Sequence, residues 1–85
     1  MTEVVIYTKD YCPFCHRAKA MLDAKGVTYT EYDIAKQPEL RDEMIEKANG
    51  GYTVPQIFVN DNHIGGCDDM MAIDAKGELN ALLNV

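Results

Sequence analysis

The apolar and polar positions in the first part of the chain predict a strand followed by a helix. Residues 3–8 form a short, β-branched and nearly continuous apolar run, which is typical of a strand covered on both faces. Between Pro13 and Lys25 the spacing becomes helical, with Pro13 suited to the first turn and Gly26 to a left-handed end. The apolar side of this helix consists of Cys15, Ala18, Met21 and Leu22.

A second strand and a second helix follow. The segment from Val27 to Ile34 is rich in Thr, Tyr and Val, which favours a strand. A strand, a helix and a strand in this order form a βαβ unit, so the first two strands should be parallel. The pattern then predicts a helix from Pro38 to about Ala48, ended by Asn49-Gly50-Gly51. Its inward positions are Leu40, Met44, Ile45 and Ala48.

The last third of the chain predicts a hairpin and a third helix. Two short apolar segments, Gln56–Val59 and His63–Ile64, flank a polar turn. A helix should run from near Asp68 to Gly77, and residues 79–83 add a last helical turn or two. The predicted order is β-α-β-α-β-β-α, an α/β fold with a four-stranded mixed sheet flanked by three helices.

Size and charge narrow the class of protein. The chain has 85 residues, which is enough for one domain spanning 1–85. A net charge of −6 argues against nucleic acid or an anionic membrane as the main partner. The chain contains no apolar run near the ~20 residues that a membrane helix needs, and its start does not resemble a signal peptide. We therefore expect a cytoplasmic protein, and a monomer.

The segment Cys12-Pro13-Phe14-Cys15 carries the candidate chemistry. It lies between the end of the first predicted strand and the N-terminus of the first predicted helix, whose unpaired N–H groups stabilise an anion. Lys9 just upstream and the Cys15 thiol one turn later also favour the thiolate form of Cys12, the form that attacks disulfides. We expect Cys12 to be the exposed nucleophile and Cys15 to be the shielded resolving thiol.

A metal site is the alternative use of two cysteines separated by two residues. Zinc would need two more ligands, and the remaining Cys and His residues are not paired at ligand spacing. These residues are His16, His63 and Cys67. Three cysteines also make an odd count, which does not favour a disulfide-stapled secreted scaffold. We therefore favour redox chemistry and predict no metal site.

Together with the βαβ context, Cys12–Cys15 resembles the motif of the thioredoxin superfamily, and three further blocks narrow the resemblance to the dithiol glutaredoxins. They are Ile6-Tyr7-Thr8-Lys9, Thr53-Val54-Pro55-Gln56-Ile57-Phe58 and Gly65-Gly66-Cys67-Asp68-Asp69. The resemblance spans nearly the whole chain. It implies a thioredoxin fold without the extra N-terminal strand, a sheet order of 2-1-3-4, and glutathione as reducing co-substrate without a tightly bound cofactor.

The resemblance also implies where glutathione binds. The implied positions are Lys9, Phe14, Thr53, Val54, Pro55, Gly66, Cys67 and Asp68. Pro55 should be a cis-proline facing the dithiol, which presents the Val54 backbone to an extended substrate. Lys9 should meet the glycyl carboxylate of glutathione.

The Gly65–Asp68 block has a physical rationale of its own. Glycines that lead into a helix N-terminus expose N–H groups that can hold a carboxylate, and Asp68 can accept a bond from an ammonium. These two groups describe the γ-glutamyl end of glutathione. The alternative is a plain capped helix with Asp as the cap. Cys67 itself suits a small, partly buried filler better than a third redox centre.

Two positions depart from the family pattern. Phe14 replaces a frequent Tyr and lacks its hydroxyl. Gly51-Tyr52 stands where many relatives have a polar or basic side chain, so we expect the glycyl carboxylate to be held less firmly.

The resemblance implies an enzyme that reduces protein disulfides and glutathionylated proteins, with ribonucleotide reductase among the candidate partners. Two alternatives stay open. One is a similar protein reduced by thioredoxin reductase, which the Gly65–Asp68 block argues against. The other is an iron–sulfur scaffold ligated by Cys12 and glutathione across a dimer, which Pro13 and Cys15 argue against.

Overall fold

The strands and helices follow one another in nearly the predicted order. The computed structural model describes residues 2–85, so Met1 of the expected 1–85 domain lies outside the described residues. The strands are β1 (Val4–Thr8), β2 (Thr30–Asp33), β3 (Gln56–Val59) and β4 (Asn62–Gly65). The helices are α1 (Pro13–Ala24), α2 (Glu39–Lys47), α3 (Cys67–Ala75) and α4 (Leu79–Leu83). Within the described residues, none of these helices has the length and apolar character needed to cross a bilayer.

The four strands form one mixed sheet in the order β2-β1-β3-β4. β1 runs parallel to β2 and antiparallel to β3, and β3 and β4 form the hairpin. The register between β3 and β4 shifts at Ile57/Phe58. The predicted sheet order and the predicted parallel pair are both confirmed.

The two faces of the sheet have separate hydrophobic clusters. Side chains alternate along β1, so Val4 and Ile6 point to one face and Tyr7 to the other. The first face packs against α1, α3 and α4, through residues that include Ala18, Leu22, Met70, Leu79 and Leu83. The second face packs against α2, through Met44 and Ala48. The prediction that β1 is covered on both faces is confirmed.

Most bounds lie within two residues of the prediction, and two differences are larger. β2 begins at Thr30 because Val27 still belongs to the helix end: its N–H donates to the Leu22 carbonyl at 3.1 Å. Gly26 has a φ of +71°, the left-handed turn that closes α1 as expected. Residues 2–85 contain four helices where three were predicted, because residues 79–83 form a short helix of their own that buries Leu79 and Leu83.

Candidate active site

Cys12 caps the N-terminus of α1 with its sulfur. Its backbone is extended, and its Sγ accepts a hydrogen bond from the Cys15 backbone N–H at 3.2 Å. Ser and Asp oxygens usually fill this capping role. Pro13 follows at the first helical position, where no N–H is needed. The sulfur therefore faces the positive end of the helix, which stabilises negative charge on it.

The expectation of an exposed Cys12 is wrong. Cys12 is only 9% exposed, although it is more accessible than Cys15 at 1%. The segment around Val54 covers it, and the Cys12 thiol donates to the Val54 carbonyl at 3.7 Å. The Cys12 sulfur thus donates to the covering segment and accepts from the first turn of α1.

Cys15 lies inside the first turn of α1, and its predicted shielding is confirmed. Burial raises the pKa of the Cys15 thiol to about 12, and its hydrogen bond with Cys12 acts in the same direction. The Lys9 backbone N–H and the charge of Lys19 lower this pKa, but by less. Cys15 is therefore a protonated thiol at neutral pH.

The segment that covers Cys12 has the implied backbone conformation, since the Val54–Pro55 peptide bond is cis. The buried side chain of Gln56 supports this segment by donating to the Thr53 carbonyl at 3.0 Å. His63 holds Gln56 in turn, with 2.6 Å between His63 Nε2 and Gln56 Oε1. This support for the 53–55 segment was not predicted from the sequence. The feature that could have indicated it is Gln56, a polar residue at the start of the buried strand β3.

A groove of about 440 Å³ lies on one side of the 53–55 segment. Seven of the eight predicted glutathione-binding positions line it: Phe14, Thr53, Val54, Pro55, Gly66, Cys67 and Asp68. Its wall also includes Gln56, His63, Gly65 and Asp69. We call this the acidic groove, because Asp68 and Asp69 are its charged residues.

A second groove of about 450 Å³ shares Thr53 and Val54 with the acidic groove and is also lined by Cys12. It contains the eighth predicted position, Lys9, together with Arg41 from α2. The exposed rings of Tyr11 and Tyr52 also border it. We call this the basic groove. Arg41, which was not predicted from the sequence, brings a second basic side chain to this groove.

Gly66 is the N-cap residue of α3, and the side chain that bonds back to it is that of Asp69, not Asp68. Asp69 Oδ2 accepts a hydrogen bond from the Gly66 N–H at 2.9 Å. Gly65, the residue before Gly66, has a φ of +116°, and a Cβ at Gly65 would collide with the Asp69 side chain. The Gly66 N–H is therefore already bonded, which corrects the expectation that both glycines offer free donors. Asp68 is left exposed in the first turn, on the wall of the acidic groove.

Cys67 is more buried than expected, at 3% exposure. It packs into the core beside Met70, and burial raises the pKa of its thiol. Its side chain therefore acts as core packing, while its backbone begins α3.

The part of the chain that the structure describes contains no group of side chains that could coordinate zinc. Within residues 2–85, no three His, Cys, Asp or Glu side chains lie close enough to share one metal ion. The structure therefore does not assemble His16, His63 and Cys67 around the two cysteines of the turn.

The fold and the dithiol turn are those of a thiol–disulfide oxidoreductase, and comparison with known proteins identifies the family. The profile of the family described as Glutaredoxin matches residues 4–64. The chain is 55% identical over 83 residues to Glutaredoxin 3 of Escherichia coli (strain K12), covering 98% of this chain and 99% of that protein. The chain therefore belongs to the glutaredoxin family.

Solved structures agree with this assignment. The crystal structure of a buckwheat glutaredoxin–glutathione complex superposes with a TM-score of 0.89 at 29% identity, covering 98% of this chain and 77% of that one. The solution structure of glutaredoxin from Brucella melitensis gives a TM-score of 0.84 at 49% identity, covering 98% and 89%. The expected thioredoxin fold is confirmed.

Proposed function

We propose that the protein is a glutathione-dependent oxidoreductase in which Cys12 attacks and Cys15 resolves. One observation carries this assignment: the Cys12 sulfur accepts the Cys15 N–H at a helix N-terminus and lines a groove, while Cys15 is enclosed. A thiolate is the attacking species in disulfide exchange, so the sulfur whose charge is stabilised is the nucleophile.

The reaction follows from these positions. The Cys12 thiolate attacks a disulfide, forms a mixed disulfide with one substrate sulfur, and releases the other as a thiolate. With a protein disulfide, Cys15 then attacks Cys12, and the reduced substrate leaves. Two glutathiones next reduce the Cys12–Cys15 disulfide through a Cys12–glutathione intermediate and leave as oxidised glutathione. With a glutathionylated protein, Cys12 takes the glutathione directly and a second glutathione removes it.

The two grooves suit the two ends of glutathione. In the acidic groove, Asp68 can accept bonds from the γ-glutamyl ammonium, and the N–H groups of Cys67 and Asp68, at the first turn of α3, can hold its carboxylate. In the basic groove, Lys9 and Arg41 can hold the glycyl carboxylate. The cysteinyl residue then lies along Thr53–Pro55, next to Cys12.

The remaining predicted positions contribute shape. Phe14 is 53% exposed and lines the acidic groove, where its ring can pack on the γ-glutamyl chain without a hydroxyl contact. The Val54 backbone can pair with an extended substrate, as an added strand does. Protein disulfides and glutathionylated proteins are the proposed substrates.

The cytoplasm is the compartment that suits this cycle. Glutaredoxins have potentials of about −200 to −230 mV, close to the cytosolic glutathione pool. Because about 30 mV corresponds to 1.4 kcal/mol for two electrons, glutathione can drive the cycle without a large bias in either direction.

A pair of coupled assays tests the proposal. Reduction of a small glutathionyl mixed disulfide is followed with glutathione, glutathione reductase and NADPH, and in parallel with thioredoxin reductase and NADPH. We expect turnover only in the glutathione system, because the two grooves fit glutathione. Turnover supported by thioredoxin reductase alone would overturn the proposal.

A further inference from the structure

Three polar side chains link β1, β2 and α1 close to the dithiol turn. Thr8 Oγ1 donates to Glu31 Oε2 at 2.7 Å, and Lys19 Nζ lies 2.9 Å from the same oxygen. Thr8 is 1% exposed, whereas the side chains of Lys19 and Glu31 keep 22% and 36% of their surface. Because two donors meet on one carboxylate oxygen, the Lys19 ammonium is held in place.

The spacing of the chain places Lys19 on the side of α1 that carries Cys15. Side chains alternate along β1, so Thr8 shares the face of Ile6, which packs under α1. Glu31 pairs with Ile6 in the parallel register and lies on the same face. Lys19 is four residues after Cys15, one helical turn further along the same side of α1.

The charges of this group act on the Cys15 sulfur. The bonds from Thr8 and Lys19 hold the pKa of Glu31 below its usual value, and Glu31 raises the pKa of Lys19. Both groups are therefore charged at neutral pH. The other titratable groups that act on this pair are Tyr29 and Asp33. The Lys19 charge in turn lowers the pKa of Cys15.

The resolving step needs such a charge. Cys15 must ionise before it can attack, yet burial raises the pKa of its thiol to about 12. The helix terminus that stabilises the Cys12 thiolate is used by Cys12 itself, through the Cys15 N–H. The Lys9 backbone N–H, at the basic groove, lowers the pKa of Cys15, and the Lys19 ammonium is the charged group that acts in the same direction.

We propose that Lys19 is a positioning residue for the resolving step, because its ammonium, held by Glu31 and Thr8, stabilises the thiolate of Cys15. In this step the Cys15 thiol loses its proton to solvent, and its sulfur attacks Cys12 in the mixed disulfide. The Cys15–Cys12 bond forms, the bond from Cys12 to the substrate sulfur breaks, and the leaving thiolate takes up a proton.

The inference rests on the proposed function and makes it more specific. Removal of glutathione from a protein through Cys12 alone does not involve Cys15. Lys19 should therefore influence only reactions that pass through the Cys12–Cys15 disulfide.

The chain contains a matched control. Lys25, at the other end of α1, forms an ion pair with Asp74 at 2.9 Å, and the two side chains are 18% and 36% exposed. These values nearly equal those of Lys19 and Glu31. Lys19→Met and Lys25→Met thus remove similar ion pairs from one helix, but only the first faces Cys15. Lys19→Arg keeps the charge.

The test is a single-turnover measurement of both steps. Reduced protein is mixed with glutathionyl mixed disulfide and quenched at intervals, and mass spectrometry follows the Cys12–glutathione adduct and its loss to the internal disulfide. We expect Lys19→Met to slow loss of the adduct about three- to tenfold between pH 6 and 9, as for one partly solvated charge. Adduct formation should stay within about twofold, and Lys25→Met and Lys19→Arg should match the wild type.

Two results would overturn the inference. One is an unchanged rate of adduct loss in Lys19→Met. The other is that adduct formation and adduct loss are both slowed, and to the same extent in Lys19→Met as in Lys25→Met. The second result would indicate a structural role alone. A wild-type protein that forms no adduct on Cys12 would instead contradict the proposed function, so the two failures are distinguishable.

Discussion

The surroundings of Cys12 and Cys15 differ sharply, although the two residues share one helical turn. Cys12 accepts a backbone N–H, is 9% exposed and borders a groove that contains Lys9 and Arg41. Cys15 is 1% exposed, and burial raises the pKa of its thiol to about 12. The same residue type thus becomes two reagents, because one sulfur lies at the helix tip and the other inside it.

The largest expected effect comes from removing one sulfur at a time. Cys12→Ser should lower both deglutathionylation and protein disulfide reduction by at least about a thousandfold, because a hydroxyl is not ionised at neutral pH. Cys15→Ser should keep deglutathionylation and lose the reactions that require the internal disulfide. Steady-state assays of both activities on both variants check this. Equal loss of both activities in Cys15→Ser would remove the distinction between the sulfurs.

The pH dependence of Cys15 alkylation should sharpen the comparison. Because burial raises its pKa to about 12, the thiolate fraction grows about tenfold for each pH unit up to that value. In Cys12→Ser, the rate of reaction of Cys15 with iodoacetamide should therefore keep rising from pH 8 to 11. The rate for an unstructured cysteine peptide should level off above about pH 9. Peptide mass spectrometry measures the alkylation rate of Cys15 at each pH, and circular dichroism confirms that the protein stays folded. A plateau near pH 9 would contradict the shielding of Cys15.

A smaller effect is expected where the acidic groove binds substrate for Cys12. Asp68→Ala should raise the KM for glutathionylated substrates about five- to tenfold with kcat nearly unchanged, because it removes one charged hydrogen-bond partner. Asp42→Ala is the matched control, since Asp42 is an exposed acid in the first turn of α2. Steady-state kinetics of the two variants give the answer. An unchanged KM in Asp68→Ala would mean that the side chain plays no part in binding.

The elements around both sulfurs could be predicted because they depend on local patterns. Apolar periodicity, together with Pro13 and Gly26, is sufficient to place β1 and α1 within a residue of their observed bounds. The burial of Cys15 follows from the same helical spacing. The cis bond at Pro55 and the sheet order were accessible only through the family resemblance.

Some features of the site could not be predicted from the sequence, because they depend on contacts between residues that are distant along the chain. The burial of Cys12 comes from Val54, 42 residues away, and the positive charge of Arg41 reaches the basic groove from α2. At Asp68-Asp69, two consecutive acids fit a helix start equally well, and only the backbone geometry at Gly65 and Gly66 selects Asp69 as the acid that bonds to the N-cap residue Gly66.

The most direct test of the division between the sulfurs is the position of the glutathione adduct. Cys12→Ser and Cys15→Ser are each incubated with oxidised glutathione at pH 7.5, and peptide mass spectrometry locates the added glutathione. We predict one stable glutathione on Cys12 in Cys15→Ser and essentially none on Cys15 in Cys12→Ser. Rapid and complete modification of Cys15 in Cys12→Ser would contradict it.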